Sequence, residues 1–227
     1  MEFLNRMENM LSAEDIKKIN SKSVLVFGLG GVGGACVESL ARAGMGKIGV
    51  VDKDTFDITN LNRQILSSTE NIGENKTDVA EKRLKSINQD IIVDKYNMNF
   101  SKETCDKINF NQYDYIVDAI DSISSKLLLI EIAVREGIKI ISAMGAGNRM
   151  DPTAIEITKI EKTKNDPVAR IMRKKLKEMG IKNIPVVSSS ELPIKTHNRT
   201  PGSISFVPPV SGMILTSYVI RDILNLN

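Results

Sequence analysis

The chain has 227 residues, 41% hydrophobic and 26% charged, with a formal net charge of +3 and a single histidine, His197. This is the balance of a water-soluble globular chain that can bury one core, and its mild positive charge permits an anionic partner without demanding one. The two cysteines, Cys36 and Cys105, have no CxxC neighbour, which speaks against a disulfide framework and a cysteine-rich zinc site, as the lone histidine does against a histidine-ligated metal.

The first twenty residues, "MEFLNRMENMLSAEDIKKIN", mix acids and bases without the apolar run of a signal peptide. No run reaches the length of a membrane-spanning helix, so a cytoplasmic protein with no membrane partner is expected. Leu4 to Ile19 reads as one or two short helices, with Ser12 capping "AEDIKKI". "KSVLVFG" is a buried strand by its β-branched run, and "GVGGACVESLARAG" is a helix that stops at Gly44. "KIGVVD" is the second strand. A helix follows from Lys76 to Asn88, then strands in "DIIVDKYNMNF" and "YDYIVDAID". "SKLLLIEIAVREG" is a helix closed by Gly137, and "KIISAMGAG" the strand after it. Strands alternate with helices to about Gly147, which implies a doubly wound, mostly parallel, Rossmann-like α/β sheet.

Beyond that point the texture changes and a mixed C-terminal extension is expected. "AIEITKIEKT" and "IPVVSSSELP" read as strands, Asp166 to Met179 as a basic helix, and "VSGMILTSYVIRDILNL" as a final helix. "IKTHNRTPGS" is a polar loop and the best candidate for disorder. "FVPPV" (Phe206 to Val210) suits a substrate channel or a packed turn.

"GLGGVG" (Gly28, Gly30, Gly31, Gly33) sits between a strand and a helix. There glycines let the backbone turn tightly and approach a phosphate, and the helix N-terminus offers free N–H groups and a partial positive charge. Asp52, at the end of the second strand, is the acid placed to grip a ribose, with Asp54 its nearby competitor. The segment after it is unusual for a dinucleotide site, for "DITNLNRQIL" carries Asn60, Asn62, Arg63 and Gln64. Lys76 then opens a helix and Asp121 ends a strand. Two cations and an acid near one nucleotide suit a triphosphate with a magnesium ion on the acid. The plainer readings are a surface lysine for Lys76 and a helix N-cap for Asp121.

"GLGGVGG", "VVDKDTFDITNLNRQ", "GENK" and "DAIDS", in this order, resemble the adenylating proteins related to ubiquitin-activating enzymes, which include those of thiamine and molybdopterin biosynthesis. The resemblance implies ATP as co-substrate, magnesium, and attack of a substrate carboxylate on the α-phosphate. By motif, Asp52 would hold the ribose, Asn60, Arg63 and Lys76 the phosphates with Gln64 close by, and Asp121 the magnesium. "NRMENML" is similar to the segment whose arginine, here Arg6, reaches into the partner subunit's site, so a homodimer is implied.

The chain departs from the protein-activating members in having neither zinc-binding CxxC pairs nor a cysteine placed for a thioester. Cys36 lies inside the first glycine-loop helix and Cys105 in "SKETCDKINF", read as a surface helix on the sheet edge. "GAGNRMDPTAIEITKIEKTKNDPVARIMRKKLKEMGI", "VVSSSELP" and "GSISFVPPVSGMI" resemble the tRNA threonylcarbamoyladenosine dehydratases. That family adenylates a threonylcarbamoyl carboxylate next to the anticodon and closes a ring with an intramolecular nitrogen, which needs no thiol. The partner implied is a tRNA bearing threonylcarbamoyladenosine, with a sulfur-transfer protein left open. Arg170, Arg173, Lys174, Lys175 and Lys177 on the basic helix then suit tRNA phosphates, the alternative being a solvated helix face. The implied organisation is a helical arm over 1–20, an ATP-binding domain over 21–150, and an extension of it over 151–227 that makes substrate and dimer contacts. The alternatives are adenylation of a ubiquitin-like sulfur carrier's C-terminus, a non-catalytic nucleotide-binding scaffold, and lastly an NAD dehydrogenase, for which the usual histidine acid–base partner is missing.

Overall fold

The structure, a computed structural model, describes residues 2–197 and 200–226. Seven strands form one sheet: β1 (Ser23–Phe27), β2 (Lys47–Asp52), β3 (Ile92–Asn97), β4 (Tyr115–Asp118), β5 (Lys139–Ala143), β6 (Ile155–Lys159) and β7 (Pro185–Ser189). Their order is β3-β2-β1-β4-β5-β7-β6, parallel throughout except that β6 runs antiparallel to β7. The doubly wound sheet expected from the alternation is present, and the extension continues it as two further strands.

The helices are α1 (Ala13–Asn20), α2 (Gly31–Arg42), α3 (Lys76–Ile87), α4 (Ile123–Glu136), α5 (Pro167–Glu178) and α6 (Val207–Ile223). Alternate strand residues face opposite layers. Val24, Val26, Ile48, Val50, Val117 and Ile141 pack against α2, α3 and α6. Leu25, Phe27, Val51, Ile116 and Ile140 pack against α4 and α5. β-branched and aliphatic runs buried on both faces are what a central parallel strand requires.

Local signals set most boundaries. Ser12 caps α1 and exchanges hydrogen bonds with Asp15 in a capping box. Gly137, with φ +68°, closes α4. The last helix begins three residues earlier than expected, at Val207, because prolines at its first turn suit a helix start; "FVPPV" is that turn. Gly212 lets α6 lie against α2: a Cβ there would stand 2.2 Å from the Val32 carbonyl oxygen. Cys105 starts a short 3-10 turn rather than a surface helix. The loop expected to be disordered includes Asn198 and Arg199, which lie outside the described residues. Among the described residues, no helix is long and apolar enough to cross a membrane.

Candidate functional site

Strand order reverses between β1 and β4, and ligands of such sheets bind beyond the carboxyl ends of the strands at that point. A cleft of about 640 Å³ opens there. The turn from β1 into α2 forms its floor. Gly28 has φ +85°, and a Cβ on Gly33 would stand 1.7 Å from the Gly28 carbonyl oxygen, so both positions require glycine. Gly30 caps α2 without a side chain, and a Cβ there would meet nothing nearer than Gln64 Nε2 at 4.0 Å. Gly30, Gly31 and Val32 line the cleft, so the positive end of the α2 dipole opens on it.

Asp52 is not a loose strand-end acid. Its Oδ2 accepts from the Leu29 N–H at 2.6 Å and its Oδ1 from the Asp54 N–H at 2.8 Å, which ties it to the glycine turn. Each oxygen keeps a lone pair for a ligand hydroxyl.

Arg63, Gln64, Asn60, Lys76, Asp54 and Asp121 also line the cleft, with Gly28, Gly30 and Gly31. Lys76 is no surface lysine: it is 6% exposed, in the first turn of α3, with Nζ 3.8 Å from Asp54 Oδ2 and over the Phe56 ring. Asn60 is buried and its Oδ1 accepts from the Asp57 N–H, closing a capping box on the short 3-10 turn Ile58–Asn60. Gln64 is 6% exposed and its Oε1 has no partner among the described residues. A buried acceptor left unpaired costs about 1–3 kcal/mol, so this atom suits a ligand hydroxyl or water. Asp121 is exposed on the rim and is not the N-cap of α4: Ser122 is.

Two of the expected site residues have other partners in the fold. Asn62 lies outside the cleft, because its amide is spent on Ser203 and Arg63. Arg173, expected at a tRNA surface, is half-buried and donates to the carbonyl and hydroxyl of Thr163 at 2.8 Å, anchoring α5 to the preceding loop. Arg170, Lys174, Lys175 and Lys177 are exposed, Lys175 paired with Glu178 at 3.3 Å. Ala169, Met172 and Leu176 face the core, and Val168 at the start of α5 reaches the cleft wall. Arg6 is exposed and outside its own chain's cleft, while Leu4, Met7 and Leu11 pack the arm onto the body.

Several lining residues escaped the sequence reading: Met98–Phe100, Gly145–Gly147, Pro201–Ser203 and Lys126. Lys126 is 2% exposed and donates to Asp118 Oδ2 at 3.1 Å and to the Ala143 carbonyl at 2.6 Å. Its signal was a lysine on the inner face of an otherwise apolar helix, five residues beyond Asp121. Asp166 is similar, a buried helix cap that also accepts from the Gly145 N–H at 3.0 Å.

Neither cysteine reaches the cleft. Burial pushes the Cys36 thiol up to about 12, despite a hydrogen bond from Thr216, and the Cys105 thiol is raised by burial and by Asp106. Neither is a ready thiolate. Among the described residues, no group of three His, Cys, Asp or Glu side chains is set to hold a metal ion. Asp121 alone suits a magnesium ion that keeps its waters and is held chiefly by phosphates. The arrangement joins a helix N-terminus, two cations and a rim carboxylate around one elongated cleft, which can bind a polyphosphate and stabilise charge on it.

The profile of the ThiF family matches residues 4–226. The chain is 36% identical over 238 residues to the tRNA threonylcarbamoyladenosine dehydratase of Bacillus subtilis, covering 97% of this chain and 94% of that protein. The Escherichia coli tRNA N6-threonylcarbamoyladenosine dehydratase, solved with AMP, superposes with a TM-score of 0.92 at 29% identity, over 97% of this chain and 93% of that one. The same enzyme solved with ATP gives a TM-score of 0.92 at 28% identity, over 99% and 94%.

Proposed function

The chain belongs to the ThiF family, and on that premise we propose that it is an ATP-dependent enzyme that cyclises threonylcarbamoyladenosine beside a tRNA anticodon, with net loss of one water. The observation that carries this reading is a polyphosphate cleft holding Arg63, Lys76 and Asp121, with no thiol in it.

The ATP phosphates lie along the N-terminus of α2, where Gly30 leaves room, and Asp52 takes the ribose hydroxyls. Arg63, Lys76 and the free end of the Asn60 amide hold the phosphate oxygens, and Asp54 keeps Lys76 turned to the cleft. Gln64 Oε1 accepts from a ribose hydroxyl or a bound water. Asp121 would hold a magnesium ion, which would offset phosphate charge.

The threonyl carboxylate attacks the α-phosphorus, the bond to the bridging oxygen breaks, and pyrophosphate leaves. Arg63 and Lys76 stabilise the charge that develops. A nitrogen of the same side chain then attacks the activated carbonyl and gives its proton to solvent, and AMP departs as the ring closes. The nucleophile is intramolecular, so its effective concentration is high and no enzyme thiol is required. The exposed cations of α5, beside the cleft wall at Val168, bind tRNA phosphates without reading sequence. A homodimer in which Arg6 enters the partner's cleft completes the site, and a sulfur-transfer protein is a further partner.

The test is to incubate the protein with ATP, magnesium and tRNA carrying the linear modification, digest the tRNA and weigh the nucleosides. A nucleoside lighter by one water is expected. No such product, with AMP formed only when a diglycine-ended carrier protein is added, would replace this reading with carrier adenylation.

A further inference from the structure

Two asparagines, neither of them lining the cleft, hold one short strap of chain that does, Pro201–Ser203. On the β5 side, Asn148 has φ +57°. Its N–H donates to the Gly202 carbonyl at 2.8 Å, and its Oδ1 accepts from the Gly202 N–H at 2.6 Å. The neighbouring Gly147 has no room for a side chain, since a Cβ would stand 2.8 Å from Pro201 Cβ. From the segment after β2, Asn62 Nδ2 donates to the Ser203 carbonyl at 3.1 Å.

The other end of the Asn62 amide is also engaged. Its Oδ1 accepts from Arg63 NH1 at 2.9 Å, and the same NH1 donates to the Thr59 carbonyl at 2.8 Å. The guanidinium is thus held by one nitrogen, and its Nε and NH2 have no protein partner among the described residues. That free edge is the one suited to a bidentate hold on phosphate.

We propose that Asn62 is a positioning residue that couples the phosphate-binding Arg63 to the strap, so that nucleotide binding and strap seating reinforce each other. The inference rests on the cleft being the ATP site, and does not depend on tRNA being the acceptor. A phosphate that fixes Arg63 also fixes the Asn62 amide, and the amide then holds Ser203. Coupling of this kind is reciprocal: a seated strap tightens phosphate binding by the factor by which phosphate seats the strap. The strap borders the space beside the phosphates that an acceptor carboxylate must enter, so ATP binding shapes that entrance before the acceptor arrives.

Lys195, exposed on the segment leading into the strap, makes trypsin a probe of strap seating. The native protein is digested with and without saturating magnesium ATP, and cleavage at Lys195 is followed by fragment mass. ATP is expected to slow that cut about fivefold or more. Asn62→Asp keeps an acceptor for Arg63 but has no donor for Ser203. Asn148→Gly keeps the left-handed backbone but loses the oxygen that holds Gly202. Asn62→Asp is expected to bind ATP by calorimetry, yet to be cut at Lys195 at a rate that ATP no longer alters. Asn148→Gly, which leaves the Arg63–Asn62–Ser203 path intact, is expected to be cut faster than native without ATP and still to be protected by it. Asn62→Ala, lacking both ends, is expected in addition to weaken ATP binding by about tenfold, since the bond it removes is to a charged group. A native protein without ATP protection, or an Asn62→Asp variant that binds ATP and keeps the full protection, would overturn the coupling. ATP-dependent protection in a protein that never cyclises modified tRNA upholds the coupling and removes only the substrate assignment.

Discussion

Lys126 Nζ lies 3.1 Å from Asp118 Oδ2 beneath the cleft, and neither side chain is more than 3% exposed. Ser142 Oγ donates to the same oxygen at 2.5 Å, and Asp118 Oδ1 accepts from the Ile120 N–H at 3.1 Å. The group joins the end of β4, the end of β5 and the first turn of α4, and so sets both the loop that carries Asp121 and the wall at Met144–Gly147. Lys126→Met leaves a buried carboxylate without its cation. It is expected to cost about 3–5 kcal/mol in urea unfolding. Lys126→Arg is expected to recover part of that loss.

The glycines of the turn make separable predictions. Gly33→Ala drives a Cβ into the Gly28 carbonyl oxygen and is expected to destabilise the fold by more than about 3 kcal/mol. Gly30→Ala has room for its methyl group, whose nearest neighbour is Gln64 Nε2 at 4.0 Å. It is expected to change stability by less than about 1 kcal/mol, while the methyl group obstructs phosphate approach to the helix N-terminus. Unfolding and ATP-binding measurements on the two variants check the contrast.

Arg63→Ala and Asp121→Ala are expected to lose AMP formation by about 100-fold or more. Each alters a group on the cleft that supports no part of the core, so the unfolding midpoint is expected to stay close to native. Normal AMP release in either variant removes that residue from the proposed machinery.

The cations of α5 divide by structure. Lys174→Glu with Lys177→Glu is expected to weaken tRNA binding and to flatten its dependence on salt, with folding unchanged. Arg173→Ala is expected instead to lower stability by about 1–3 kcal/mol, because its bonds hold Thr163. Filter binding over a range of salt, beside thermal unfolding, separates the two.

Glu38 on α2 joins Arg83 of α3 at 2.9 Å and Arg42 at 2.7 Å, with its side chain 8% exposed. Burial acts to raise its pKa, but the hydrogen bonds and charges of Arg83 and Arg42 outweigh it and hold the carboxyl below its ordinary value. A depressed carboxylate pKa contributes stability above the unfolded-state value and loses it as pH falls through the folded one. Glu38→Gln is therefore expected to cost about 1–3 kcal/mol near neutral pH, and the gap from native to shrink as pH drops below about 4. Urea unfolding from neutral pH to pH 3 measures it.

The fold and one wall of the site were legible because they depend on local signals. Strand runs, the Gly28–Gly33 turn, Ser12 and Gly137 act within a few residues, and the match to "DITNLNRQ" and "GENK" rests on contiguous motifs. Side chains whose partners lie far along the chain were not legible. Asn62 looks like its neighbour Asn60, yet its partner is Ser203, 141 residues away. Arg173 looks like the other cations of its helix until Thr163 is seen beneath it.

The sequence by itself determined a doubly wound sheet, a phosphate-receptive turn and a cluster of cations and acids after β2, because periodicity, backbone freedom and residue chemistry are properties of short segments. Only the tertiary structure decided which of those side chains face the cleft, that Lys126 and Asp118 lie under it, and that a strap 141 residues from Asn62 closes one side of it. Those facts depend on where the sheet brings distant loops together, and on buried polar groups such as Lys126 and Asp118 taking the partners the fold sets beside them.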